Sequence, residues 1–290
     1  MRLKAIRLFL SVVFLVSFLS WARGIGAEPR APAHAPADKS RSIADAFLDE
    51  ELVYEIGFWL FDEVAVGKVT LKKDNGEYAA VLTAYTTGVV DKILKHRKDT
   101  YVSRMKLAEG GKRFVTLSFE KTIDTNGEVR KSVTRFDYDK NVMTWRSWGG
   151  GKEEKSGTID LPEDRYCDDP IAAFYNFRYG VYGPAEKGRE YTIYSFPKED
   201  RLPKIYLKIA TDEEMEKRLN KPVDYLADAK IDKELFGSKS GDIEIAFTKD
   251  MVPVEAVAKG LVFFGDVRGR LVHEGVNTSD VAIPEAASLE

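Results

Sequence analysis

The sequence predicts a mainly β protein: a curled antiparallel sheet or β-barrel-like domain with one short plug helix and a second surface helix. Three observations carry this. Apolar residues recur at alternate positions through most of the chain. Turn signals built from Gly, Asn and Asp punctuate it at regular spacing. Only two segments carry helix start and stop residues.

The strands follow in order. In "ELVYEIGFWL", Leu52, Tyr54, Ile56, Phe58 and Leu60 share one face, and the other face is not polar, so both sides are covered for part of the length. "GKVTLKK" points Val69 and Leu71 inward. Asn75-Gly76 is a strong hairpin signal and leads into "EYAAVLTAYTTGVV", read whole as a strand. "DTYVSRMKL", "KRFVTLSFEKTI", "EVRKSVTRFDY" and "VMTWRSW" continue the meander, and "GGGK" turns it again. "REYTIYSF", "PKIYLKIAT", "YLADAKI", "GDIEIAFT", "VPVEAVAKG" and "LVFFGDVRGRLV" complete about twelve strands. A sheet this long curls to limit its exposed edges, and alternating Lys204 and Lys208 suit a solvated face.

The two helices differ. In "DDPIAAFYNFRYGVYGP", Asp169 is a preferred N-cap, Pro170 suits the first helical position, and Gly180 suits the left-handed stop. Ile171, Phe174, Tyr175 and Arg178 then share a face. In "TDEEMEKRLNKP", Thr211 and Glu214 have capping-box spacing, acids crowd the first turn, and Pro222 follows the end. Its thin apolar side makes it a surface helix.

The chain is organised around this domain. Residues 1–27 have a basic start (Arg2, Lys4, Arg7), an apolar run from Leu8 to Trp21 and a small-residue end, the layout of a secretory signal peptide. Residues 28–45 read as an Ala/Pro-rich spacer, 46–272 as a single β-rich domain, and 273–290 as a loose tail. The expected location is the periplasm, with no transmembrane helix after cleavage of the signal. Cys167 is the only cysteine and lies far from the apolar run, so the protein is neither an N-terminal lipoprotein nor a disulfide scaffold. Removing the four positive charges of the signal takes the formal charge from −3 to −7. Nucleic acid is therefore not an expected partner, and net charge also argues against docking on anionic lipid.

Few residues point to chemistry. His34, His96 and His273 are scattered, with no metal-ligand spacing, and no cofactor or catalytic residue is expected. "GGGK" lacks the spacing of a phosphate loop. Asp168 next to Cys167 raises the thiol's pKa and leaves it inert. Adjacent Asp168 and Asp169 cannot flank a substrate from two sides as a glycosidase pair must. The aromatic load is the remaining signal. Trp59, Trp145, Tyr175, Arg178 and Tyr179, with Trp148 and Tyr182 nearby in the pattern, are candidates to line a concave site for a lipid or glycan.

Three stretches carry a family likeness: "EELVYEIGFWLFDEVAVGKVTL", "DDPIAAFYNFRYG" and "TKDMVPVEAVAKGLVFFGDVRGRL". With them the chain resembles the bacterial exported "domain of unknown function 3108" family over most of residues 47–272. Asp169, Pro170, Gly180, Asp250 and Pro253 are the positions that match its signature. The strand before Asp250 reads "IEIAF" where the family pattern leads one to expect a Trp. The resemblance implies a secreted, β-rich envelope protein and no particular activity.

The expectation is therefore an exported, non-enzymatic protein holding an apolar or glycan ligand in its concave β face. One alternative is a structural protein that engages an envelope protein partner. Another is a hydrolase using Asp168, Asp169 or Asp250 with Arg178.

Overall fold

The computed structural model describes residues 41–58, 61–196, 202–219, 221–231, 239–261 and 265–276. The expected signal peptide, most of the spacer, Trp59 and the end of the tail lie outside the described residues. Fourteen strands are described: β1 (Glu50–Phe58), β2 (Phe61–Asp74), β3 (Glu77–Thr86), β4 (Arg97–Ala108), β5 (Arg113–Thr125), β6 (Glu128–Asp137), β7 (Val142–Gly149), β8 (Lys152–Asp160), β9 (Glu190–Tyr194), β10 (Lys204–Ile209), β11 (Tyr225–Lys230), β12 (Asp242–Phe247), β13 (Pro253–Leu261) and β14 (Gly265–Val276). Four helices join them: α1 (Ile43–Phe47), α2 (Gly88–Ile93), α3 (Pro170–Tyr179) and α4 (Asp212–Arg218).

All strands form one antiparallel sheet in the order β8-β7-β6-β5-β4-β3-β2-β1-β14-β13-β12-β11-β10-β9. The first and last strands of the chain pair with each other, so the sheet's two free edges are β8 and β9, which are consecutive in the chain. The sheet curls but does not close. The segment joining its edges carries α3 and occupies the hollow. The Asp168 N–H donates to the Tyr194 carbonyl at 2.9 Å, which ties this segment to β9.

Local chemistry sets the turns. Asn75 and Gly76 both have positive φ (49° and 89°), the mirror-image turn whose twist matches flanking strands. Asn126 and Gly127 repeat it between β5 and β6. β5 carries one extra residue, Leu117, where Arg104 pairs with Ser118 and Met105 with Thr116. This bulge lets Thr116 and Phe119 both contribute to the interior.

The expected strand over "EYAAVLTAYTTGVV" is shorter in the structure. β3 ends at Thr86 and Gly88–Ile93 form α2, because the Thr87 hydroxyl and N–H turn back onto the carbonyls of Glu63 and Val64. β8 gave no strand signal because "KEEKSGTID" has no apolar period. It is a mostly exposed edge, and charge on an edge blocks pairing with another chain.

The main core joins β1–β5, α1 and α3 through residues such as Leu52, Leu71, Met105, Phe114 and Tyr175. A second cluster packs Phe177 against Tyr191, Leu207, Ile209 and Phe247. Helix α3 thus has core on more than one side, as an all-round apolar helix requires. A third cluster seats Cys167 with Phe136, Met143 and Leu161 under β6–β8. Among the described residues no helix is long and apolar enough to cross a membrane.

Candidate functional site

The site is built by the way α3 is fastened. At its start, the Asp169 carboxylate accepts from the N–H groups of Ile171 (2.8 Å) and Ala172 (3.1 Å). It also accepts from the hydroxyls of Ser103 on β4 (2.5 Å) and Thr116 on β5 (2.8 Å). Pro170 follows, and Gly180 ends the helix at φ 84°. Asp169 is fully buried, and burial pushes its carboxyl up to about 6 against the pull of those hydrogen bonds. Both oxygens are occupied, so no substrate reaches this carboxylate.

At its far end, Arg178 makes a two-pronged pair with Glu50 (2.7 Å on each arm), and its Nε donates to the Met251 carbonyl at 2.8 Å. The guanidinium lies 4.6 Å from the Phe47 ring centre and 4.9 Å from that of Phe174. Midway, the Asn176 amide meets the backbone of Phe114. The Tyr179 hydroxyl donates to the Arg41 carbonyl at 2.6 Å. Three of the expected ligand residues, Tyr175, Arg178 and Tyr179, are therefore sealed in the core beside α3. The Tyr175 hydroxyl is buried with no partner among the described residues.

Trp145 stands apart from them, in the β7–β8 wall. Its indole lies so close to Gly157, its cross-strand neighbour, that a Cβ there would meet Nε1 at 2.8 Å. Trp148 pairs across β6 with Lys131. Asp250 lies in the β12–β13 turn, with one carboxylate oxygen buried and unpartnered among the described residues. Pro253 opens β13, and its carbonyl accepts from the buried Tyr54 hydroxyl at 3.3 Å. The carboxylates considered for hydrolysis are not brought together. Asp168 and Asp169 precede α3, while the turn of Asp250 meets its last turn through Arg178 and Met251, about 15 Å away along the helix axis.

An open cleft of about 620 Å³ lies instead at the end of the sheet where the β4–β5 and β6–β7 turns meet the chain after β8. Tyr138, Tyr166, Tyr182 and Tyr194 line it with Arg113 and Arg165. Two of its lining residues, Arg113 and Tyr182, hold the buried Asp168 behind it. The Arg113 Nη2 donates to both of its oxygens, at 2.9 and 3.1 Å, and the Tyr182 hydroxyl donates to one of them. The Arg113 guanidinium also lies 5.4 Å from the Tyr166 ring and 5.5 Å from that of Tyr182. Tyr166 meets Tyr138 edge-on at 5.2 Å, and the Tyr138 hydroxyl donates to the Cys167 carbonyl at 3.0 Å. Arg165 covers Tyr194 at 4.5 Å. Burial pushes Asp168 above the usual carboxylate range, although Arg113 and Tyr182 pull it down. Burial and the Asp168 charge push the Cys167 thiol up to about 12, so it is no nucleophile. Among the described residues no group of His, Cys, Asp or Glu could hold a metal ion.

Sequence reasoning missed Arg113, Tyr138, Tyr166, Tyr194 and Glu50. Glu50 had a signal: it stands at the head of the inward row Leu52, Tyr54, Ile56, and a charge on an apolar face needs a partner. The cleft residues come from separate connections and from strands β4, β5 and β9, and they share no spacing in the chain.

The model of a family described as proteins of unknown function, DUF3108, matches residues 53–272. No curated protein matches the chain. Among solved structures, it is similar to a beta-barrel-like protein of the domain of unknown function DUF1849 from Brucella abortus. That match has 10% identity and a TM-score of 0.46, over 79% of this chain and 97% of the other. A protein with a YmcC-like fold from Bacteroides fragilis also matches, at 10% identity and a TM-score of 0.24, over 78% and 95%.

Proposed function

The chain belongs to the DUF3108 family, and from that premise we propose that it is an exported envelope protein that binds a glycan, without catalysis, in the tyrosine-lined cleft. The observation that carries this reading is the cleft's chemistry. Four tyrosine rings line it, and the ring faces not taken by Arg113 or Arg165 suit the C–H sides of a sugar. Lys106, Glu109, Asn141 and Thr192 on its walls add donors and acceptors of both kinds.

Several of the charges around the cleft are already paired. Arg113 is held by Asp168 and Arg165 by Asp164. A neutral, many-hydroxyl ligand suits such walls better than a lipid tail does, and α3 already fills the hollow where a lipid tail was expected. The buried position of Asp169 and the spread of the other carboxylates favour binding over hydrolysis.

Export rests on the signal layout of residues 1–27. The mature chain is expected to begin at Glu28, and its intact mass tests this. For binding, the test is native mass spectrometry of the chain recovered from the envelope. A carbohydrate adduct that Tyr166→Ala loses supports the reading. An adduct of fatty-acid mass, or one that persists in Tyr166→Ala, overturns it.

A further inference from the structure

The end of the sheet that carries the β1–β2, β3–β4 and β5–β6 connections is away from the cleft, and it exposes four large apolar side chains. Val89 is 76% exposed, Ile93 71%, Phe61 54% and Tyr85 45%. Val89 and Ile93 stand four residues apart on α2, so they share one side of its short helix. Phe61 opens β2, on which α2 is fastened by the Thr87 bonds to Glu63 and Val64. Tyr85 pairs directly with Lys98 across β3 and β4. Large apolar side chains grouped in this way on a surface mark a place where something else covers them.

The charges around the cluster say what covers it. Lys92, Lys95 and Lys98 are all exposed and have no acidic partner among the described residues. The nearest acid on the helix, Asp91, is occupied by the Thr86 hydroxyl (2.6 Å) and the His96 ring. Asp62 and Glu63 are the acidic residues at the start of β2, and Asp124 is the cross-strand neighbour of Lys98 on β5. Three exposed lysines around a protruding Val–Ile pair stand out on a chain whose formal charge is −3.

We infer that this end of the protein docks on an anionic lipid surface, with Val89, Ile93 and Phe61 entering the headgroup boundary and Lys92, Lys95 and Lys98 meeting the phosphates. Lysines suit this place because their stems lie along apolar surface while their ammonium groups reach up to the headgroups. Apolar side chains enter the boundary by about 5–10 Å, within reach of a one-turn protrusion. The chain's net negative charge counts against such docking only weakly here, because the field of acids elsewhere in the fold is screened over about a Debye length. With this face on a membrane, the glycan cleft at the opposite end of the sheet faces away from it.

The test uses the full chain with Val89→Cys carrying a polarity-sensitive fluorophore. Cys167 is buried, so the label goes to the new thiol. The neutral vesicles and the charge reversals separate this response from any attachment through the apolar N-terminal segment. Vesicles containing phosphatidylglycerol should shift its emission to the blue, and pure phosphatidylcholine vesicles should do so far less. Adding Lys92→Glu and Lys95→Glu should weaken the phosphatidylglycerol response by roughly 25-fold or more in lipid concentration, from about fivefold per lysine before the added repulsion. An absent shift overturns the inference. So does a shift that depends on protein concentration without vesicles, which would assign the face to a second copy of the chain. So does a response equal on both lipids or unchanged by the charge reversals.

Discussion

The side-chain amide of Asn176 takes the place of a neighbouring strand for Phe114. Its oxygen accepts from the Phe114 N–H and its nitrogen donates to the Phe114 carbonyl, both at 2.9 Å. β6 pairs with β5 only from Ser118 to Thr125, so the Phe114 backbone lies beyond its reach. The helix therefore supplies the hydrogen bonds that the sheet lacks at this point. Asn176→Leu leaves a buried N–H and C=O without partners. The expected cost is about 2–4 kcal/mol, seen as a lower denaturant midpoint with an unchanged slope. Hydrogen exchange at the Phe114 amide should speed up more than at Leu71. Equal exchange at both sites would contradict the substitute-strand role.

Glu50 and Arg178 are a buried pair, and neither tolerates loss of the other. Glu50→Leu or Arg178→Met alone should cost about 3–5 kcal/mol, because each leaves one charge uncompensated. Glu50→Leu with Arg178→Met should cost clearly less than the two single losses added. A double variant that costs their full sum would show that the pair is not coupled.

Asp169 predicts a pH dependence with a defined sign. Its carboxyl is held up to about 6 in the fold, above its unfolded range. The folded chain then holds the proton more tightly than the unfolded chain. The stability this contributes is fully present below the unfolded pKa and is lost as pH rises through about 6. Asn keeps an N-cap oxygen and carries no charge. Asp169→Asn should therefore look up to about 3 kcal/mol better, relative to wild type, at pH 7.5 than at pH 3.5. A difference between the two proteins that stays constant over that range would refute the assignment of this slope to Asp169.

Much of this fold is legible in the sequence because it rests on local rules. Alternation gives the strands, Asn75-Gly76 gives a hairpin, and Asp169, Pro170 and Gly180 frame α3. The α2 turn is not legible in that way. "TTGVV" is β-prone, and only the distant carbonyls of Glu63 and Val64 bend it into a helix. The cleft is less legible still. Tyr138, Tyr166, Tyr182 and Tyr194 meet only after the sheet has curled and the chain after β8 has tied itself to β9. Aromatic richness was visible along the chain, but which rings stay open was decided by α3. It buries Tyr175 and Tyr179 and leaves the mouth's tyrosines reachable.

That division between sealed and open rings is the core of the functional reading, and ring-resolved NMR of labelled tyrosines tests it most directly. The chain is titrated with oligosaccharides released from the envelope. Resonances of Tyr138, Tyr166, Tyr182 and Tyr194 should shift together, those of Tyr54, Tyr101 and Tyr175 should stay, and Tyr166→Ala should weaken the response about tenfold. Shifts confined to the buried rings, or no shift in any tyrosine, would contradict it.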